Sequence, residues 1–255
     1  MYAEERQQAA ARLVLTRGRV SVAELADEFD VTSETVRRDL GALERMRLVR
    51  RVHGGAVPAA SLSAIESGLD ERDVTRSREK ERIALAAQRF LPDAGGTVVI
   101  DAGSTTGRFV NLVAQGARFV AFTHAVPIAA GLALLPEVDL HLLPGRVRRT
   151  TQAAVGSPTT EALERVRVDV AFVGTNGISA EHGLSTPDPE EAAVKAALVR
   201  AARIVVVLAD SSKFARDATV SFADLADVDV VVTDSADPPV PRAVLDDLGV
   251  ELVVA

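Results

Sequence analysis

From about residue 76 onward, short apolar runs recur at intervals and decide what the chain can fold into. They are TVVIDAG, RFVAFTH, VDLHLLPG, VDVAFVGTNGI, RIVVVLAD, DVDVVVTD and VELVVA. Most are nearly continuous rather than alternating, which is the pattern of strands covered on both faces. Segments of helical composition separate them, PEEAAVKAALVRAA at 189–202 among them. Alternation of this kind makes an α/β domain on a mainly parallel sheet the expected architecture of residues 76–255.

The first 57 residues follow another pattern. EERQQAAARLVLTRG is helical by composition and stops at Gly18. In SVAELADEFD, Ser21 is a good N-cap, and Glu24 three residues on completes a capping box. VTSETVRRDLGALERM begins a third helix capped by Thr32, and RLVRRVHGGAV reads as a small β-hairpin closed by Gly-Gly. After Pro58 comes a small, polar stretch, AASLSAIESG. Residues 58–75 are therefore expected to connect a domain at 1–57 to one at 76–255.

A length of 255 residues accommodates such a pair, and 47% hydrophobic with 25% charged residues is ordinary for a soluble globular protein. The absence of cysteine excludes disulfides and thiolate metal sites. Histidines 53, 124, 141 and 182 are scattered without metal spacing, so neither a metal nor a cofactor is expected. No apolar run approaches the roughly 20 residues of a membrane helix, and no membrane partner is expected. The opening MYAEERQQAAARL lacks the basic start and apolar run of a secretory signal, so a cytoplasmic location is expected.

The net charge is -7, yet residues 1–55 carry ten arginines against nine acids. Between 37 and 51, six arginines face only Asp39 and Glu44. On a helix, Val36, Leu40 and Leu43 share one face, Arg38 and Arg45 project from the other, and Arg37 lies on the flank. An arginine pair alone is commonly just a solvated helix face. Here the preceding helix joins through the tight DVTS connection, which is helix-turn-helix spacing. The second helix of such a unit enters the major groove with its N-terminal residues toward the base edges. Ser33, Thr35, Arg37 and Arg38 are therefore candidate contacts to double-stranded DNA, with Arg50, Arg51 and His53 on the hairpin as a phosphate-gripping wing. The segment RVSVAELADEFDVTSETVRRDLGALERMRLVRRVHGGAV resembles the N-terminal signature of the DeoR family of bacterial transcription regulators. TVRRDL and RVHGGA carry the resemblance most specifically, and it continues through the second half of the chain.

A second candidate site lies in VVIDAGSTTGRFV, where a strand runs into Asp101, Gly103, Ser104, Thr105 and Thr106 and then a helix. Hydroxyls and the free N–H groups of a helix start converge there, and the helix dipole adds to a phosphate cradle. A plain strand-to-helix turn with an N-cap is the alternative. The loop is neither a Walker loop nor a GxGxxG fingerprint. Other strand ends supply partners: FTHA with Thr123 and His124, PGR with Gly145, VGTNG, and LADSSKF with Asp210 and Lys213. Lys195 and Lys213 would add positive charge, while Asp101 and Asp210 would hydrogen-bond sugar hydroxyls.

The resemblance implies an effector domain similar in fold to ribose-5-phosphate isomerase, sensing phosphorylated sugars and assembling dimers or tetramers. The family's loop matches Asp101, Gly103, Ser104, Thr105 and Thr106, and its Asp-x-Ser-Lys-Phe element matches Asp210, Ser212, Lys213 and Phe214. Two departures stand out: a usual Thr-Asn is Thr123-His124, and a usual Gly-Gly is Pro144-Gly145. The pattern is most similar to regulators of fructose or related phosphotransferase sugar operons. The expected function is a DNA-binding repressor of a sugar-utilisation operon, modulated by a sugar phosphate and without catalytic residues. The alternative is an isomerase-like enzyme fused to a DNA-binding module, with Asp101, Asp210 and Lys213 as its acid–base groups.

Overall fold

The computed structural model describes residues 3–17, 20–46, 48–52, 54–58, 68–236, 240 and 242–255. Backbone packing divides the chain into two compact units, residues 1–65 and 66–255.

The first unit contains α1 (Ala3–Arg17), β1 (Val20–Ser21), α2 (Val22–Phe29), α3 (Ser33–Arg45), β2 (Val49–Val52) and β3 (Gly55–Pro58). The capping box at α2 forms as the sequence predicts, with Glu24 N–H on Ser21 Oγ at 3.1 Å and Ser21 N–H on Glu24 Oε2 at 2.7 Å. Asp30 ends α2 in a left-handed conformation (φ 49°), and its N–H reaches the carbonyls of Ala26 and Asp27. That sharp stop lets Thr32 cap α3 only two residues later, its Oγ1 accepting from Thr35 N–H at 3.3 Å. Leu25, Val36, Leu40 and Leu43 then meet Ala11, Val14, Val20, Val49 and Ala56 in one core. Asp39 shares the buried face of α3 and takes Arg6 Nε at 2.6 Å and Gln7 Nε2 at 3.0 Å, fastening α1 to α3. β2 and β3 form the expected hairpin, and β1 adds to it in the order β1-β3-β2. Gly55 is required there, because a Cβ would lie 2.2 Å from the carbonyl oxygen of Val20 on β1.

The second unit runs α4 (Leu69–Val74), α5 (Ser77–Ala87), β4 (Thr97–Ile100), α6 (Ser104–Asn111), β5 (Phe119–Thr123), α7 (Val126–Leu132), β6 (Val138–Leu142), β7 (Arg146–Arg148), β8 (Ala153–Val155) and α8 (Ser157–Glu164). It continues with β9 (Val168–Val173), β10 (Gly177–Ser179), β11 (Gly183–Thr186), α9 (Pro189–Ala201), β12 (Ala202–Leu208), β13 (Val220–Ala223), β14 (Val230–Thr233), α10 (Arg242–Asp247) and β15 (Glu251–Val254). The seven apolar runs become one parallel sheet in the order β15-β14-β12-β9-β4-β5-β6.

Side chains alternate across that sheet, as strand geometry demands. Val98, Ile100, Phe172, Val206, Leu208 and Val232 meet Ile83 of α5, Phe109 of α6 and Leu132 of α7. Val99, Val173, Val205, Val207 and Val231 face the other way, onto Leu163 of α8, Leu198 of α9 and Leu245 of α10. Over the inner strands β4, β9 and β14 both faces are dry, which explains runs without polar alternation, and each fully buried side chain contributes about 1.5–3 kcal/mol. Two small antiparallel sheets, β10-β11-β13 and β7-β8, flank this core.

One boundary differs from expectation. Residues 69–74, assigned by composition to the connector, form α4. Its ends are anchored in the second unit: Leu69 N–H reaches Thr150 O at 3.1 Å, and Arg108 of α6 donates to Asp73 Oδ2 at 3.0 Å. Among the described residues no helix is long and apolar enough to cross a membrane.

Candidate functional site

The exposed side of α3 carries Ser33, Arg37 and Arg38, whose neighbours Val36, Leu40 and Leu43 are drawn into the core. Arg37 lies 3.7 Å from Glu34, an exposed pair of small energetic consequence. Arg38 has no ion pair among the described residues. Thr35 is half-buried and shares a 3.0 Å hydroxyl contact with Thr32, so part of its role is to start the helix. Arg51 on β2 is exposed, its N–H bonded to Glu44 Oε1 at 2.9 Å and its guanidinium 4.0 Å from Glu44 Oε2. The side chain of Arg50, and His53 as a whole, lie outside the described residues.

In the second unit, strand order reverses between β4 and β9: the chain builds outward through β5 and β6, then returns to add β9, β12, β14 and β15 on the other side. A crevice opens at the carboxyl ends of strands at such a switch point. It is lined by Gly103, Ser104 and Thr105 after β4, Gly174, Thr175 and Asn176 after β9, and Asp210 and Lys213 after β12. Helix α9 contributes Glu191 and Lys195, α4 contributes Arg72, α5 contributes Lys80, and Thr151 comes from the β7–β8 turn. Gly103 occupies the N-cap of α6 and no side chain caps that helix. The free N–H groups and the positive dipole end of α6 are therefore presented to the crevice.

The cations there are held differently. Lys213 has no hydrogen bond or ion pair from its ammonium among the described residues. Burial pushes its pKa down, Asp210 opposes the shift, and Arg72, Arg216 and Arg76 add to it. Lys80 is 4% exposed and donates to the carbonyls of Arg72 and, at 2.8 Å, Thr75. Burial lowers its pKa to about 8, against the pull of Asp210. Asp210 is buried, lies 3.4 Å from Arg76 Nε and receives Ser212 N–H at 3.0 Å. Its task is to shape the turn that carries Lys213.

Asp101 lies beneath the crevice and is fully buried. Its Oδ1 takes Ala102 N–H at 2.8 Å and lies 3.1 Å from His124 Nε2. Its Oδ2 takes Gly174 N–H at 2.9 Å and the Lys195 ammonium, which also donates to Gly174 O at 2.8 Å. Burial opposes ionisation, but Lys195 and the His124 ring outweigh it and hold the carboxyl below the usual range. This pair joins the β4 and β9 loops to α9, and it leaves Asp101 with protein donors on both oxygens. Thr106, Thr123, His124 and Gly145 do not line the crevice. Thr106 Oγ1 bonds Gly103 O at 3.0 Å, and Thr123 Oγ1 bonds Ile100 O at 2.7 Å. His124 Nδ1 faces Ala154 O at 2.8 Å. Gly145 is packed where a Cβ would meet Thr159 Oγ1 at 2.2 Å.

Of the residues expected from the sequence, Gly103, Ser104, Thr105, Lys195, Asp210 and Lys213 line one crevice together with Gly174, Thr175 and Asn176 of VGTNG, whereas Arg72, Lys80, Thr151 and Glu191 were not foreseen. Among the described residues no group of His, Asp or Glu is placed to hold a metal ion. An excess of cations, hydroxyls and an uncapped helix start give the crevice the chemistry to hold an anion.

Residues 6–61 match the DeoR-like helix-turn-helix domain, and residues 75–235 match the DeoR C terminal sensor domain. The HTH-type transcriptional regulator GlpR of Haloferax volcanii is 34% identical over 253 residues, spanning 99% of this chain and 98% of that one. The glycerol-3-phosphate regulon repressor of Escherichia coli K12 is 31% identical over 248 residues, 97% of each chain. The HTH-type transcriptional repressor GlcR of Bacillus subtilis is 31% identical over 257 residues, covering 100% of this chain and 97% of that protein. Among solved structures, ribose 5-phosphate isomerase A of Methanocaldococcus jannaschii overlaps 55% of each chain with a TM-score of 0.41 and 16% identity, a likeness from which no activity follows. With both units matched and relatives aligned from end to end, the chain belongs to the DeoR family of transcription regulators.

Proposed function

We propose that this regulator is a cytoplasmic repressor of a sugar-utilisation operon, and that a phosphorylated sugar in the crevice of the second unit sets its grip on operator DNA. Ser33, Arg37 and Arg38 read base edges, Thr35 supports them, and Arg50, Arg51 and His53 hold backbone phosphate. A second copy of the chain would engage the other half-site, as paired half-sites require. The names of the relatives, a glycerol-3-phosphate regulon repressor among them, support a phosphate ester as the effector.

One observation carries the effector reading: Lys213, whose ammonium has no hydrogen bond or ion pair among the described residues, shares a crevice with the uncapped start of α6. Ser104, Thr105 and the α6 N–H groups receive the phosphate, and Lys213, Lys80 and Arg72 supply the charge. Lys195 and Asp101 fix the floor. Binding without turnover is supported by the two carboxylates considered as bases. Asp101 is enclosed by donors, and Asp210 is bound to its own turn and close to Arg76.

Thermal denaturation tests this. Glycerol 3-phosphate and fructose 1-phosphate are the esters, with glycerol and fructose as controls. An ester that binds, at a hundredfold excess over its Kd, is expected to stabilise by about 2.7 kcal/mol, and the parent polyols by nothing measurable. Lys213→Gln and Ser104→Asp should abolish the response with the fold intact, since an acid in the first turn favours a helix. A free sugar that stabilises as strongly as its ester would refute the phosphate site, and steady conversion of an ester to an isomer would establish the enzyme instead.

A further inference from the structure

An anion receptor has little use for a carboxylate, yet Glu191 lines this one. The residue is 4% exposed, in the first turn of α9, where Asp188 Oδ1 caps its N–H at 3.0 Å. Burying such a charge is costly without compensation. Part of that compensation is visible: Oε1 receives both the Arg148 guanidinium and the Thr151 hydroxyl, and the helix start favours a negative charge. Oε2 is different. It accepts no hydrogen bond among the described residues, although the carboxylate as a whole is paired with Arg148 through its other oxygen. That leaves the second oxygen of this crevice-lining side chain as an acceptor without a protein donor among the described residues, in the crevice that Lys213 and Ser104 also line.

We infer that Glu191 is the specificity-determining residue of the crevice: Oε2 accepts a hydroxyl of the ligand's carbon chain and turns away a ligand bearing a second anionic group. The inference rests on the proposed phosphate site. A hydroxyl donating to a carboxylate makes a charge-assisted bond, stronger than one between neutral groups. A second phosphate or a carboxylate placed there would instead meet like charge at short range in a poorly solvated space. The ligand class is therefore a phosphate monoester of a polyhydroxy chain, not a bisphosphate and not a phosphorylated acid.

The test compares matched probes on the full-length protein by isothermal titration: inorganic phosphate alone, glycerol 3-phosphate against 3-phosphoglycerate, and fructose 1-phosphate against fructose 1,6-bisphosphate. In the wild type, at least one monoester should bind about tenfold or more tighter than both inorganic phosphate and its doubly anionic partner. In Glu191→Gln, whose amide oxygen still accepts from Thr151 and Arg148, that preference should shrink to within about threefold while inorganic phosphate binds at least as tightly as before. Should Glu191→Gln fail to fold, the wild-type ratios still decide. Doubly anionic partners that bind as well as the monoesters, or monoesters no better than inorganic phosphate, overturn the inference. So does an unchanged preference in Glu191→Gln. If nothing binds, inorganic phosphate included, the phosphate site itself is wrong, and the role of Glu191 falls with it.

Discussion

Lys80 shows how much a single buried charge depends on its surroundings. Desolvation lowers its pKa to about 8, Asp210 and Asp73 pull the other way, and Lys213 and Arg72 push further down. The folded pKa lies below the unfolded value, so the folded protein binds fewer protons between about pH 8 and the ordinary lysine range, and this group adds stability as pH rises through that window. A phosphate dianion reverses the balance by favouring the ammonium form, so binding takes up a proton once the free lysine has begun to lose its own. The ligand-induced rise in melting temperature should therefore shrink from pH 7 to pH 9, and in Lys80→Met that dependence should flatten. A response as pH-sensitive in Lys80→Met as in the wild type would remove Lys80 from the site. Residues of this kind were the hard part of the sequence. Ser104, Thr105, Asp210 and Lys213 were legible because they follow apolar runs, where strand ends must be polar and ligands gather. Lys80, Arg72 and Glu191 sit on helices among charged neighbours, and nothing local separates a buried charge from a solvated one. Asp101 was legible as important, but its commitment to Lys195 and His124 depends on three elements far apart in the chain.

At the level of elements, apolar runs marked all seven strands of the central sheet, and most were unbroken because a strand covered on both faces has no reason to alternate. The edge strand β6 instead reads VDLHL and is largely exposed. β7, β8, β10, β11 and β13 escaped notice because runs of three or four residues carry too little pattern. α4 escaped because a short polar helix looks like a connector by composition. Its place comes from tertiary anchors: Thr150 at its start, Arg108 on Asp73, and Lys80 on its last carbonyls. All three anchors belong to segments around the crevice. In the first unit, caps and stripe were local and therefore readable, whereas Asp39 was not, since its partners Arg6 and Gln7 lie on another helix. The outward arginines of α3 carry the prediction at this scale. Arg37→Ala or Arg38→Ala should weaken selective DNA binding by about 1–3 kcal/mol where the contact is to a base. Arg51→Ala should weaken all sequences alike and lower the salt dependence. Fluorescence anisotropy on selected and scrambled duplexes separates the two, and equal losses on both duplexes for Arg37 and Arg38 would place those side chains on phosphate.

At the level of the molecule, an acidic chain contacts DNA because its charges are sorted: arginines gather in the first unit while the second carries the acidic excess. Each unit has its own core, so each site can form within its own unit. Their coupling is the central claim, and linkage makes it reciprocal: an effector that alters operator affinity must itself bind with altered affinity in the presence of operator. The direct measurement is the affinity of the full-length protein for a duplex it has itself selected from a random pool, with and without the phosphate ester that raises its melting temperature. We expect a change of about five- to 150-fold, the usual range of such coupling. Lys213→Gln should lose the change and keep the DNA affinity, while the Arg37/Arg38 double alanine variant should keep the thermal response and lose the selective binding. An ester that stabilises the protein and leaves its affinity for the selected duplex unchanged would contradict the account.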